Sequence, residues 1–125
     1  MFGGRINAIS QYNHNCFFQR LVDRKDYLQA LMARFFEEKC AKSCNALYPE
    51  GYIIDFAITG QALDQVLVIE INPGLSSTSG CLFDWVRDKK TIYDGDPFEF
   101  RIRDAPDPEL RTKLRADWAK LLDAE

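Results

Sequence analysis

Histidine is almost missing from this chain, with one (His14) in 125 residues. The four cysteines, Cys16, Cys40, Cys44 and Cys81, form no Cys-x-x-Cys pair. Zinc sites draw on closely spaced Cys and His, so a zinc centre is not expected. Cys40 and Cys44 stand four apart on an expected helix, a spacing that would allow a shared metal, but packing or surface thiols is the plainer reading. Basic charge is not in excess either. Sixteen Lys and Arg against nineteen Asp and Glu give a net charge of −3. Non-specific nucleic-acid binding needs a basic surface, so no nucleic-acid partner is expected. No apolar run approaches the ~20 residues that cross a bilayer, so no membrane span is expected. The start, Met1-Phe2-Gly3-Gly4-Arg5, lacks a charged-then-apolar leader. The expected compartment is the cytosol, where the cysteines stay reduced. Repeats, low-complexity tracts and linkers are also lacking, so residues 1–125 are expected to form a single domain.

What the chain does have is apolar material, 46% hydrophobic with nine Phe, against 28% charged. That is an ordinary globular balance and enough for a modest core. Two adjacent stretches are richest in β-branched and aromatic residues. They are Tyr52-Ile53-Ile54-Asp55-Phe56-Ala57-Ile58-Thr59 and Gln65-Val66-Leu67-Val68-Ile69-Glu70-Ile71-Asn72-Pro73. Both read as strands, and the five residues Gly60–Asp64 between them suit a hairpin. With Thr59 opposite Val66, Asp55 falls opposite Glu70, and Asn72 shares their face. Like charges facing each other across two strands are destabilising unless a cation offsets them. Two carboxylates and an amide oxygen form an all-oxygen set that suits Mg²⁺ or Mn²⁺ rather than zinc. Mg²⁺ is commonly held by one or two carboxylates together with substrate phosphates, so the set points to metal–nucleotide chemistry. The alternative is a solvated outer face on which each carboxylate sits beside a Lys or Arg.

Around this hairpin, Arg5–Gln11 reads as a strand after a glycine turn, with Gly3-Gly4 at a hairpin tip. Tyr12–Phe18 reads as a polar and aromatic loop. Asp23 is a candidate N-cap for one long helix from Arg24 to Cys44. Tyr27, Leu28, Leu31, Met32, Phe35 and Phe36 would form its buried stripe. Ser76, Ser77 or Thr78 would cap a short helix running to Val86, within a loop of small residues from Pro73 to Gly80. That loop could contact phosphate through backbone N–H groups, but no Walker lysine follows it, and a plain linker is the simpler reading. Arg87–Asp96 reads as a turn-rich excursion and Phe98–Arg103 as a half-buried strand. Asp107-Pro108 opens a final helix to about Leu122, with Leu110, Leu114, Trp118 and Leu121 on one face. The expected architecture is α+β: an antiparallel sheet of about four strands, with two main helices packed on one face and the acidic residues on the other.

The order of certain motifs goes further. Glu70-Ile71-Asn72-Pro73 after a hydrophobic strand, with Asp55 on the strand before, resembles the metal-binding end of the ATP-grasp superfamily. A narrower resemblance, to the cell division cycle protein 123 (D123) family, extends to Arg103. It is carried by Ala8-Ile9-Ser10-Gln11-Tyr12-Asn13-His14, Leu82-Phe83-Asp84-Trp85 and Pro97-Phe98-Glu99-Phe100-Arg101. The resemblance implies an ATP-dependent ligase type of protein that forms an acyl-phosphate. In it Asp55, Glu70 and Asn72 hold Mg²⁺, Asp55 and Glu70 are the catalytic carboxylates, and Gln11, Asn13 and Arg101 contact ATP. It also implies that residues 1–125 correspond to the C-terminal half of an ATP-grasp domain. The N-terminal half, with its phosphate-holding lysines, would then come from elsewhere, for instance from a partner chain. Eukaryotic members resemble assembly factors for translation initiation factor two, so the resemblance also allows a non-catalytic module that binds an initiation factor subunit. Read without it, Gln11 and Asn13 are loop polar residues, Arg101 and Arg103 pair with Glu99 or Asp104, and His14 is a surface residue. Asp84 would be a cap and Trp85 part of the core.

Overall fold

The structure is a computed structural model that describes residues 1–111 and Lys120. In chain order its elements are β1 (Ala8–Ser10), α1 (Gln19–Asp23), α2 (Lys25–Phe35), a π-helical turn (Phe36–Cys40), α3 (Ala41–Leu47), β2 (Tyr52–Thr59), β3 (Gln65–Pro73), α4 (Lys89–Asp94), β4 (Glu99–Arg101) and α5 (Pro108–Arg111). Among the described residues no helix is long and apolar enough to cross a membrane.

The expected long helix is present but divided. Asp23 is the last residue of α1, not a cap, and its carboxylate accepts a hydrogen bond from Gln19. Arg24 stands at the start of α2 without a side-chain cap. Arg24 also donates to the carbonyl of Ala62, so the break at its backbone ties the helix start to the hairpin tip. The π-helical turn widens the helix by one residue over Phe36–Cys40. It leaves Phe36, Cys40 and Cys44 on one buried side, where they meet Tyr52 of β2. Ile54, Phe56 and Ile71 pack against this cluster, and Phe35 meets Phe56 edge-on with ring centroids 5.6 Å apart. The core therefore lies between α2–α3 and one face of the hairpin. All four cysteines are free, and three of them are buried, as packing residues should be.

The expected four-stranded antiparallel sheet is not what forms. The strands make two separate pairs: β2 with β3, antiparallel, and β1 with β4, parallel. The parallel pairing of β1 with β4 joins segments about 90 residues apart, while Met1-Phe2 lies beside both pairs. Met1 exchanges both backbone hydrogen bonds with Tyr52, at 2.8 and 2.9 Å. Phe2 faces Arg5 across the Gly3-Gly4 turn, where both glycines have positive φ. Met1 thus touches β2, and Phe2 touches the segment leading to β1, without the two pairs becoming one sheet. Burial lowers the pKa of the Met1 amino group to about 6.

Other expectations shift locally. The segment from Ser76 to Val86 forms turns rather than a helix, held by Phe83 N–H on Gly80 and the Trp85 indole N–H on Thr78. The charged excursion contains α4, closed by Gly95 in the left-handed conformation. Asp107 caps α5 by accepting from the N–H groups of Glu109 and Leu110. The expected continuation of this helix through Leu114, Trp118 and Leu121 lies outside the described residues.

Candidate functional site

The acidic pair is built by a defect in the hairpin. Near the tip Thr59 pairs with Gln65 and Phe56 with Val68, a register that would set Asp55 opposite Ile69. An irregularity between Asp55 and Phe56 skips Ile69, and Asp55 lands opposite Glu70. Because Tyr52, Ile54 and Phe56 face the core, Asp55 lies on the opposite face, across the hairpin from the helices. Asn72, two residues past Glu70, shares this face and donates its amide N–H to the Glu70 carboxylate at 3.1 Å.

The electrostatics follow from this placement. Asp55 is half-buried, and burial first, then the Glu70 charge and a hydrogen bond shared with Glu70, push its carboxyl pKa up. Cys81 comes to the same place from the turns after β3. Burial raises its thiol pKa, a hydrogen bond with Ser79 lowers it, and the Asp55 charge raises it. Nothing in the spacing of Cys81 signals this approach, because a fold through Pro73–Gly80 brings it back over the hairpin.

Among the described residues no group of three or more His, Cys, Asp or Glu side chains is placed to hold a metal ion. The set here is two carboxylates and an amide, all on one face. Burial raises the Asp55 pKa most, and the Glu70 charge that adds to it is what a divalent cation would relieve; hard oxygen donors suit Mg²⁺. The residues fit that ion as a partial shell, with the remaining ligands drawn from water or a phosphate.

The other expected residues lie elsewhere. Gln11 is buried, and its amide is fully used: it donates to the carbonyls of Asn13 and Cys16, both at 2.6 Å, and accepts from Arg103 N–H at 2.9 Å. Asn13 is half-buried in the loop that Gln11 holds together. Arg103 donates to the carbonyl of His14 at 2.6 Å, and the His14 ring contacts the Tyr12 carbonyl.

Arg101 is the centre of a second charged cluster. Its guanidinium grips both oxygens of Asp88 at 2.8 Å, binds Glu99 at 2.6 Å and the carbonyl of Leu82 at 3.2 Å. It also stacks over the Phe83 ring at 4.1 Å. Arg101 holds the Asp88 carboxyl below the usual carboxylate range. Sequence reasoning included the Glu99 pairing but missed Asp88, which no spacing rule links to β4. Asp84 caps its turn by accepting from the N–H groups of Val86 and Arg87.

Two open cavities, of about 590 and 470 Å³, flank Arg101. The larger lies beside Lys25, Phe98 and Phe100, and the smaller beside Cys81, Asp84 and Arg87. Neither is lined by Asp55 or Glu70. The acidic pair and the Arg101 cluster are joined through the chain segment from Cys81 to Asp88. Leu82 anchors that segment by donating its N–H to the Ser10 hydroxyl at 3.0 Å.

A search of curated proteins finds no match to this sequence. A protein-family model does match, over residues 2–117, and the chain belongs to the D123 family.

Proposed function

We propose that Asp55, Glu70 and Asn72 hold Mg²⁺ and that the protein takes part in Mg-ATP binding of the ATP-grasp, ligase-like type. The observation that carries this reading is the opposed carboxylate pair with its raised Asp55 pKa, on the hairpin face away from the core. A bound ion would supply positive charge against the developing phosphate charge of acyl-phosphate formation. The chain's own share is to hold the two carboxylates at one spacing and to orient Glu70 through the Asn72 amide. In this reading Asp55 and Glu70 are the catalytic carboxylates, and Asn13 and Arg101 sit on segments that would border the nucleotide.

The test is a thermal melt with Mg²⁺ alone, ATP alone and both. A ligand at about 100 times its dissociation constant adds ~2.7 kcal/mol. A shift that needs both components is expected, and equal melts in all three would refute the reading.

One observation favours a second reading. Gln11 and Arg101, both expected at the nucleotide, are committed to contacts within the chain. The protein would then be a non-catalytic module that binds an initiation factor subunit, as family resemblance suggests. Its association should persist in EDTA, and loss on chelation would refute it.

A further inference from the structure

We infer that the larger cavity beside Arg101 binds a free α-amino acid with an aromatic side chain, its carboxylate on Lys25 and its ammonium on Asp104. This stands apart from the metal reading, because neither Asp55 nor Glu70 borders the cavity. Its volume of about 590 Å³ lies in the ~300–1,000 Å³ range of small-molecule sites. Apolar side chains make most of its wall. Phe98, Phe100 and Ile102 alternate with Glu99 and Arg101 along β4 and just past its ends, so the three apolar residues turn to one side. Val22 and Leu82 complete that wall. The Lys25 ammonium lies over the Phe100 ring, 5.7 Å from its centroid, so this is the side that faces α2.

Among the described residues, four charged side chains border the cavity, and two of them are free to meet a ligand. Glu99 and Arg101 bind each other at 2.6 Å, and Asp88 holds Arg101 again at 2.8 Å. Lys25 and Asp104 make no hydrogen bond or ion pair among the described residues, and the ring of Phe100 is the one polar-type contact of Lys25. A wholly apolar ligand would strip water from both charges and match neither. An anion would meet Lys25 and be opposed by Asp104, and a cation would meet the reverse. A molecule with one charge of each sign beside an apolar body matches both. That is the outline of an α-amino acid. Phe98 and Phe100 favour a ring as the apolar body, because aromatic pairs gain more than their buried area.

The test titrates the intact chain with L-phenylalanine and follows backbone amide shifts by NMR. Shifts are expected at Lys25, Phe98, Phe100, Ile102 and Asp104, with Asp55 and Glu70 unmoved. Phenylpropionate lacks the ammonium and phenethylamine lacks the carboxylate, and each should bind about tenfold more weakly. Alanine, which lacks the ring, should cause no shift at the same concentration. Lys25→Met should weaken phenylalanine by a similar factor without weakening phenethylamine. Asp104→Asn should weaken phenylalanine without weakening phenylpropionate. A general loss of packing would not divide the two analogues in this way. No saturable shift at millimolar phenylalanine would overturn the inference. Equal binding of phenylalanine and its analogues would do the same, as would equal binding of alanine. Displacement of phenylalanine by ATP would also overturn it, because the cavity would then belong to the nucleotide.

Discussion

Replacing Asp55 by Asn tests the acidic pair most directly, because the same change has opposite effects with and without a cation. Without metal, Asp55 is held opposite Glu70 on a half-buried face, and its carboxyl pKa is raised by burial and by the Glu70 charge. A carboxyl whose folded pKa lies above its unfolded value binds more protons folded than unfolded. Stability therefore falls as pH rises from the unfolded value, ~3.9, through the folded one. Asn keeps the shape and removes that loss. Directly opposed like charges cost ~0.2–1 kcal/mol, so at pH 7 in EDTA the variant should be the more stable by about that amount. For a chain of this size ~0.5 kcal/mol corresponds to roughly 2–4 °C in melting temperature. The advantage should disappear near pH 3.5, where Asp55 is protonated in both states. With Mg²⁺ and ATP at about 100 times their dissociation constants, the wild type gains ~2.7 kcal/mol and the variant little, so the order reverses. Differential scanning fluorimetry over pH, with and without metal, reads both effects. A variant less stable in EDTA at pH 7 would refute the repulsion. Equal Mg²⁺-dependent gains in both proteins would refute the metal site.

Three further outcomes are expected. Arg101→Lys loses the two-pronged grip on Asp88 and should cost ~1–3 kcal/mol in urea unfolding. Asp88 has a lowered folded pKa, so its contribution is present at neutral pH and lost as pH falls through that value. The wild type should lose its advantage over the variant below about pH 4. Phe36→Ala empties a position with 0% exposure and should cost ~3–5 kcal/mol, read as a lower urea midpoint at unchanged slope. The Met1 amino group, with a pKa of about 6, should react with an acylating reagent at pH 7 mostly as the neutral amine, and an ordinary pKa there would refute its burial.

The hairpin was legible because its signals are local: β-branched runs, a glycine at the turn and alternation of apolar with polar residues. The Asp55–Glu70 opposition was legible for a less direct reason. The assumed pairing of Thr59 with Val66 is one residue off, since Thr59 pairs with Gln65, and the skip at Ile69 makes up that one residue. The start of the long helix was legible to within one residue, since it was expected at Arg24 and α2 begins at Lys25, but neither the short α1 before it nor the π-helical turn at Phe36–Cys40 left a mark in the apolar stripe from Tyr27 to Phe36. The pairing of Ala8–Ser10 with Glu99–Arg101 was not legible, because parallel partners about 90 residues apart share no turn that would set their register. Arg101 is legible as a charged residue on a half-buried strand, yet its engagement with Asp88 depends on how the segment from Cys81 folds back. The resemblance to the D123 family was legible in motif order, and the family match over residues 2–117 bears it out.

The skipped Ile69 has a consequence for how this hairpin tolerates change. Side-chain phase along β3 is set separately on its two sides. The stretch from Gln65 to Val68 takes its phase from the turn, and the stretch from Glu70 to Pro73 takes its phase from the core contacts of Tyr52, Ile54 and Ile71. The extra residue acts as a slip joint between them. The turn at Gly60–Asp64 can be rebuilt, and the tip re-registered with it, while the acidic residues stay where they face each other. Removing Ile69 itself would leave a regular ladder with Phe56 still opposite Val68 and Asp55 still opposite Glu70, so both faces would be kept but the two stretches would no longer shift independently.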